Sequence, residues 1–164
     1  VSERFSGKYP GAAVNYLDAG FPFGNGFPLL PHLSHDDGRK LDLAFCYNYA
    51  ETGQISKGGP SFTGYGVCEE PLPGEADTPA RCRKAGYRKY DLTRKLTPQT
   101  GKSDYIFDNQ RTGDLVTMLA AQPRVGKIFI EPHLKQRMGI TSTKVRFQGC
   151  GSVRHDDHIH LQLK

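Results

Sequence analysis

Apolar and polar residues alternate most clearly at the C-terminus. Ile159, Leu161 and Leu163 alternate with His158, His160, Gln162 and Lys164, the period of a half-buried strand. His158 and His160 then project from one face, with backbones about 6–7 Å apart, while the apolar residues take the other. A second apolar run, residues 42–47, follows a turn at Gly38 and also reads as a strand. There Asp42, Ala44 and Cys46 share one face, and Leu41, Leu43 and Phe45 the other. From about residue 112 to 122, Leu115, Val116, Leu119 and Ala120 recur at helical spacing, with Thr112 or Asp108 as cap and Pro123 as stop. Strands at 127–131 and 144–147, a short helix near 133–138 and a short strand at 14–16 complete the set. The predicted class is α+β: a small, mostly antiparallel sheet with a helix on one face and a polar, histidine-bearing cleft on the other.

A chain of 164 residues fits one domain, and no internal repeat divides it. Residues 1–34 are rich in loop signals, with Gly and Pro crowded between Gly20 and Pro28. The Phe residues there either line a groove or pack beneath the N-terminal segment. Residues 48–103 form a long insertion punctuated by Gly and Pro. Loops of that length in compact domains usually serve as lids or binding loops, so the insertion is expected to wall the cleft and set selectivity.

The chemistry is concentrated in two distant segments, His35-Asp36-Asp37-Gly38-Arg39-Lys40-Leu41-Asp42 and His155-Asp156-Asp157-His158-Ile159-His160. Together they read as a three-ligand zinc site of His35, Asp42 and His160, which leaves a fourth position open, as catalytic zinc requires. Gly38 lets the intervening loop turn back toward Asp42. A carboxylate on an inward strand position is costly unless paired with a cation or metal. His32 and His133 read instead as solvated surface residues. Asp36, Asp37 and Asp156 read as loop residues or as carboxylates that orient a ligating imidazole.

These residues resemble the superfamily of lysostaphin-type enzymes, D-Ala-D-Ala metallopeptidases and the hedgehog signalling domain. The shared pattern is His, six intervening residues, Asp, and a distant His-x-His, met here by His35, Asp42 and His158-Ile159-His160. The run from His155 to His160 is most similar to penicillin-insensitive murein endopeptidases, as are Ser34-His35 and Val125-Gly126-Lys127-Ile128-Phe129-Ile130 with Pro132 after it. Gly38-Arg39 is nearer to the hedgehog version. The resemblance covers both ends of the catalytic core but not the middle of the chain.

The resemblance implies His35, Asp42 and His160 as zinc ligands and His158 as a catalytic residue, with His155 as a second catalytic or substrate-polarising group. In one branch a Glu three residues before the last ligand is the base, and Asp157 holds that position here. Strand alternation turns Asp157 away from the metal unless a bulge intervenes, which favours His158 as base. That branch also uses an upstream Arg, and Arg4 is matched by no motif. The implied activity is that of a zinc metallopeptidase cutting an amide bond in peptidoglycan peptides, of the murein endopeptidase or carboxypeptidase type. The bond is left open among endopeptidase, D-Ala-D-Ala dipeptidase and L-Ala-D-Glu peptidase. The alternative of another class is a non-catalytic, hedgehog-like zinc-containing module that binds the cell wall or a protein.

A net charge of +5 suits an anionic partner such as peptidoglycan with its wall polymers. Nucleic acid is disfavoured, because only 81–94 is densely basic and no recognition helix or stacking motif accompanies it. Four cysteines allow three pairings. The expected bridges are Cys68–Cys82 within the insertion and Cys46–Cys150 between core segments, against an alternative of four reduced thiols. Disulfides place the chain in the periplasm or outside the cell. No apolar run approaches membrane-spanning length, so membrane attachment is expected only through a leader or anchor upstream of Val1. A monomer is expected.

Overall fold

The histidine-bearing strand at the C-terminus lies in the middle of the sheet. The computed structural model describes residues 1–19 and 38–164. His35, His32, Asp36, Asp37 and the Phe-rich stretch near Gly20–Pro28 lie outside the described residues. The main sheet is built from β1 (Tyr16–Ala19), β2 (Lys40–Ala44), β5 (Val125–Phe129), β6 (Val145–Arg146) and β7 (His158–Leu163), in the order β1-β2-β7-β5-β6. All neighbours are antiparallel except β5 and β6, which run parallel. A separate ribbon pairs β3 (Tyr47–Tyr49) with β4 (Tyr105–Phe107). The helices are α1 (Ser2–Lys8), α2 (Thr78–Lys84), α3 (Leu92–Leu96), α4 (Asn109–Ala120) and α5 (Pro132–Arg137). This is an α+β fold with a mixed, mostly antiparallel five-stranded sheet.

Cross-strand partners share a face of a sheet, so the register decides what is buried. Leu41 faces Leu161, Leu43 faces Ile159 and Ile128 faces Leu161. Ile128, Ile159 and Leu43 are at most 1% exposed, and they pack with Leu115, Val116 and Leu119 of α4 in one core. Each such side chain contributes about 1.5–3 kcal/mol of burial free energy. The opposite face carries Asp42, His160 and Phe129, which are mutual partners across three strands, with His158 opposite Ala44.

The helix α4 begins earlier than its apolar spacing suggests, and Asp108 rather than Thr112 is its cap. The Asp108 carboxylate accepts from the Arg111 backbone N–H at 2.8 Å. Thr112 is fully buried inside the helix, where its hydroxyl accepts from the Cys46 N–H. The strand expected at 127–131 lies at 125–129. Pro132 takes the first turn of α5, and a residue before proline is held extended, so Glu131 becomes the cap of α5 instead of ending the strand. The strand expected at 14–16 lies instead at Tyr16–Ala19, and that expected at 144–147 shrinks to two residues.

The insertion contains α2, α3 and a 3-10 turn at Thr100–Asp104. One disulfide pins it, and it is neither of the expected pairs: Cys82 bonds Cys150, with Cα atoms 5.3 Å apart, while Cys68 and Cys46 are free thiols. Cys82 points inward from α2 onto the turn before β7. Cys46 is instead tied to the start of α4, because its carbonyl accepts from Asp108 N–H. Cys68 lies on the segment that runs along residues 156–157, and its neighbour Glu69 donates to the Asp156 carbonyl. Burial raises the pKa of both free thiols, which leaves them inert. A second tie is the pair Arg137–Glu75, in which two guanidinium N–H groups reach the carboxylate at 2.8 and 2.6 Å. Among the described residues no helix is long and apolar enough to cross a membrane.

Two outcomes follow. Thiol titration of the unfolded, unreduced protein should return two free thiols and a crosslinked 82–150 peptide, and replacing both partners with Ser should cost about 2–4 kcal/mol in chemical denaturation. The Arg137 hydrogen bonds lower the Glu75 pKa to about 2 from an ordinary 4.5. The stabilisation is therefore present above about pH 4.5 and lost as pH falls toward 2. Glu75→Gln should destabilise by about 1–2 kcal/mol at pH 7 and converge on the parent protein near pH 2.

Candidate metal centre

Strand alternation on β7 and the β2–β7 register bring Asp42, His158 and His160 to one point. The side chain of Asp42 is fully buried, and those of His155, His158 and His160 are nearly so. Asp42 Oδ1 stands 2.9 Å from His160 Nδ1, and Asp42 Oδ2 stands 3.7 Å from His158 Nε2. His155 enters from the loop just before β7. Its ring centroid is 5.1 Å from that of His158 and 5.4 Å from that of His160. One ring nitrogen from each of the three imidazoles lies within 4.8 Å of the others, so this buried group is able to hold a metal ion. The Phe129 ring closes one side, with centroids 5.6 Å from His160 and 6.0 Å from His155.

His158 is oriented by its neighbour. The Asp157 carboxylate lies 2.5 Å from His158 Nδ1 and accepts the Gly66 backbone N–H at 2.5 Å through its other oxygen. Asp157 precedes β7, so strand alternation does not govern it, and it faces the site through His158. With Nδ1 committed to Asp157, His158 turns Nε2 toward Asp42. Burial pulls the His158 pKa down, but the carboxylates of Asp157 and Asp42 outweigh it and push it up to about 9. Tyr65, from the insertion, donates its hydroxyl to Asp42 Oδ2 at 3.0 Å and sets its ring edge-on to His158. Burial and the Asp42 charge raise the Tyr65 pKa, so it stays protonated and donates.

The position of His155 depends on a second buried network behind the site. The Arg154 side chain is buried, and its Nε donates to both Asp156 oxygens at 3.0 Å. Its Nη1 donates to Asp91 at 2.9 Å, and Nη2 donates to Glu70 at 2.8 Å and also to Asp156. The Arg154 N–H donates to the Tyr90 carbonyl, and Glu131 N–H donates to the His155 carbonyl. Residues 154–157 are thereby held to the insertion and to α5 together.

Asp42, His155, His158 and His160, singled out in the sequence, are thus brought together, while His35 lies outside the described residues. Asp156 pairs with Arg154 and does not orient a site imidazole. Arg4 is exposed on α1. His133 is not the surface residue expected. It is fully buried on the first turn of α5, with Nε2 2.7 Å from the Glu69 carbonyl, and burial lowers its pKa. A neutral ring donating Nε2–H satisfies that carbonyl. Tyr65, Gly66 and Arg154 were not foreseen. Their one local signal is the pair of glycines bracketing Tyr65, both with positive φ.

Beside the centre opens a cleft of about 300 Å³, lined by Leu17, Ala44, Tyr47, Lys57, Phe62 and Asp157 among others. The cleft touches the candidate site through Asp157, the carboxylate that holds His158 Nδ1. No protein-family model matches the chain, and no curated protein matches it.

Removing one partner of a buried ion cluster leaves uncompensated charge. Arg154→Met should therefore cost about 3–5 kcal/mol in urea denaturation, because Asp156, Asp91 and Glu70 lose their common cation.

Proposed function

We propose that the chain is a zinc metallopeptidase that hydrolyses an amide bond in peptidoglycan peptides, of the murein endopeptidase or carboxypeptidase type. One observation carries this reading: Asp42 and His160 are register partners whose facing atoms are 2.9 Å apart on the polar face of the sheet, with His158 beside them. The donor set fits zinc, which takes imidazole nitrogen and carboxylate oxygen and keeps an open position in catalytic sites. Asp42 and His160 would hold the ion, with His35 supplied by the preceding segment as in the sequence pattern. Bound zinc supplies Lewis acidity, acidifying a water and polarising a carbonyl.

The remaining chemistry falls to the protein's own groups. The carboxylates that raise the His158 pKa include Asp42, whose charge a bound cation would offset. His158, with Nδ1 held by Asp157, would then be neutral, and its Nε2 the atom that takes a proton from the attacking water and later returns it to the leaving amine. His155, 5.1 Å away between ring centroids, is placed to polarise the substrate or steady the developing oxyanion. The adjoining cleft, with Lys57 and Asp157 in its lining and Phe62 at its rim, suits a peptide carrying both charged and apolar groups. The Cys82–Cys150 disulfide suggests an oxidising, extracytoplasmic compartment, which supports a place in the cell envelope, where a monomer would meet peptidoglycan.

The clustering of His155, His158 and His160 favours a second arrangement, a three-imidazole site, and one set of variants separates the two. Metal analysis should find about one zinc per chain, as one mononuclear site requires, and His160→Ala should abolish it. His158→Ala and His155→Ala should keep zinc, and His158→Ala should release no product from purified muropeptides. Zinc lost from His155→Ala and His158→Ala alike would select the three-imidazole site. Zinc retained by the parent protein with no wall peptide cleaved would select a non-catalytic, hedgehog-like binding module.

A further inference from the structure

We infer that the Gly64-Tyr65-Gly66 turn of the insertion is a two-point strap that sets both Asp42 and His158, making Tyr65 and Asp157 positioning residues of the metal centre. The inference rests on the reading of Asp42 and His160 as zinc ligands.

The first point of attachment is Tyr65. Its hydroxyl donates to Asp42 Oδ2 at 3.0 Å, while Oδ1 is the oxygen turned to His160 Nδ1. A carboxylate has two equivalent oxygens, and a donor on one of them decides which faces the ion. Such partners commonly change metal affinity 10–100-fold when removed. The second point is Gly66. Its N–H donates to Asp157 Oδ2, and Asp157 Oδ1 holds His158 Nδ1. A single turn thus reaches the ligand carboxylate through a side chain, and the base through a backbone N–H on Asp157.

The turn itself is held so that neither contact can drift. Gly64 and Gly66 have φ of +79° and +82°, a region that disfavours other residues. A Cβ at Gly64 would come within 2.2 Å of the Leu17 side chain, and one at Gly66 within 2.0 Å of Thr97 Oγ1 and 2.8 Å of the Thr93 carbonyl. The Gly66 carbonyl accepts from the Gln99 side-chain amide at 2.7 Å. The strap is therefore packed against β1 on one side and the α3 region on the other, which ties the insertion to the site geometry and not only to the cleft wall.

The test uses the whole chain, with zinc affinity by chelator competition, the absorption spectrum of the Co2+-loaded protein and the thermal midpoint of the metal-free protein. Tyr65→Phe should weaken zinc about 10–100-fold and alter the Co2+ spectrum, with the metal-free midpoint unmoved. Asp157→Asn should bind zinc as the parent does but lower kcat on muropeptides without changing KM. A Tyr65→Phe protein with parental zinc affinity and spectrum would overturn the first point and leave the zinc reading standing. Unchanged kcat in Asp157→Asn would overturn the second. A parent protein that takes up no zinc would overturn both the strap and the reading beneath it.

Discussion

The antiparallel register between β2 and β7 is the constraint on which core and candidate metal centre both depend, because the same pairing buries one set of side chains and presents the other. Leu41, Leu43, Ile159 and Leu161 enter the core as register partners, and Asp42 and His160 meet on the opposite face by the same rule. A slip of one residue would turn Asp42 into the apolar core and Leu43 into the site. An unpaired buried carboxylate costs several kcal/mol, and each lost aliphatic contact adds about 1.5–3 kcal/mol. The hydrophobic side of the sheet thus enforces the alignment of groups on the polar side, and the site needs no separate device to align those two residues.

What the strands do not provide is a means of holding the loop before β7, and there the fold uses charge. Residues 154–157 lie outside the strands, yet they bring His155 and Asp157 to the site. Arg154 gathers Asp156, Asp91 and Glu70, drawn from its own segment and from the insertion, while backbone bonds from Glu69, Tyr90 and Glu131 close around it. A buried cluster of this kind adds little net stability over an apolar equivalent, but it is costly to leave half-made. It therefore permits few alternative positions. The disulfide from Cys82 to Cys150 acts on the same loop from the α2 side.

The parts legible in the sequence are those governed by local periodicity. The alternation in β7, the two faces of β2 and the apolar stripe of α4 each follow from spacing, so Asp42, His158 and His160 were identifiable before any tertiary contact was known. Periodicity says which face a residue takes but not which strand lies beside it. The insertion of β7 between β2 and β5, and hence the Phe129–His160–Asp42 row, was not accessible that way. The cysteine pairing failed for a related reason: spacing within the insertion carries no information on which side of α2 faces the core. His133 was misread because a helix of six residues has too little pattern to reveal its buried side. Tyr65 and Arg154 act through partners far away in the chain, 23 residues for Tyr65–Asp42 and 63 for Arg154–Asp91.

His158 and His160 are identical side chains two residues apart on one face of one strand, yet their surroundings divide them. His160 presents Nδ1 to Asp42, whereas His158 gives Nδ1 to Asp157 and presents Nε2. An imidazole anchored by a carboxylate on one nitrogen has its other nitrogen oriented and made more basic, the condition for accepting a proton. An imidazole whose nitrogen shares a point with a buried carboxylate meets the condition for sharing a cation. The carboxylate Asp42 touches both, so it cannot serve either role unless something decides how its two oxygens are shared. Tyr65 supplies that decision from the insertion. On the proposed function, ligands aligned by the register of two strands are completed by a strap from the insertion.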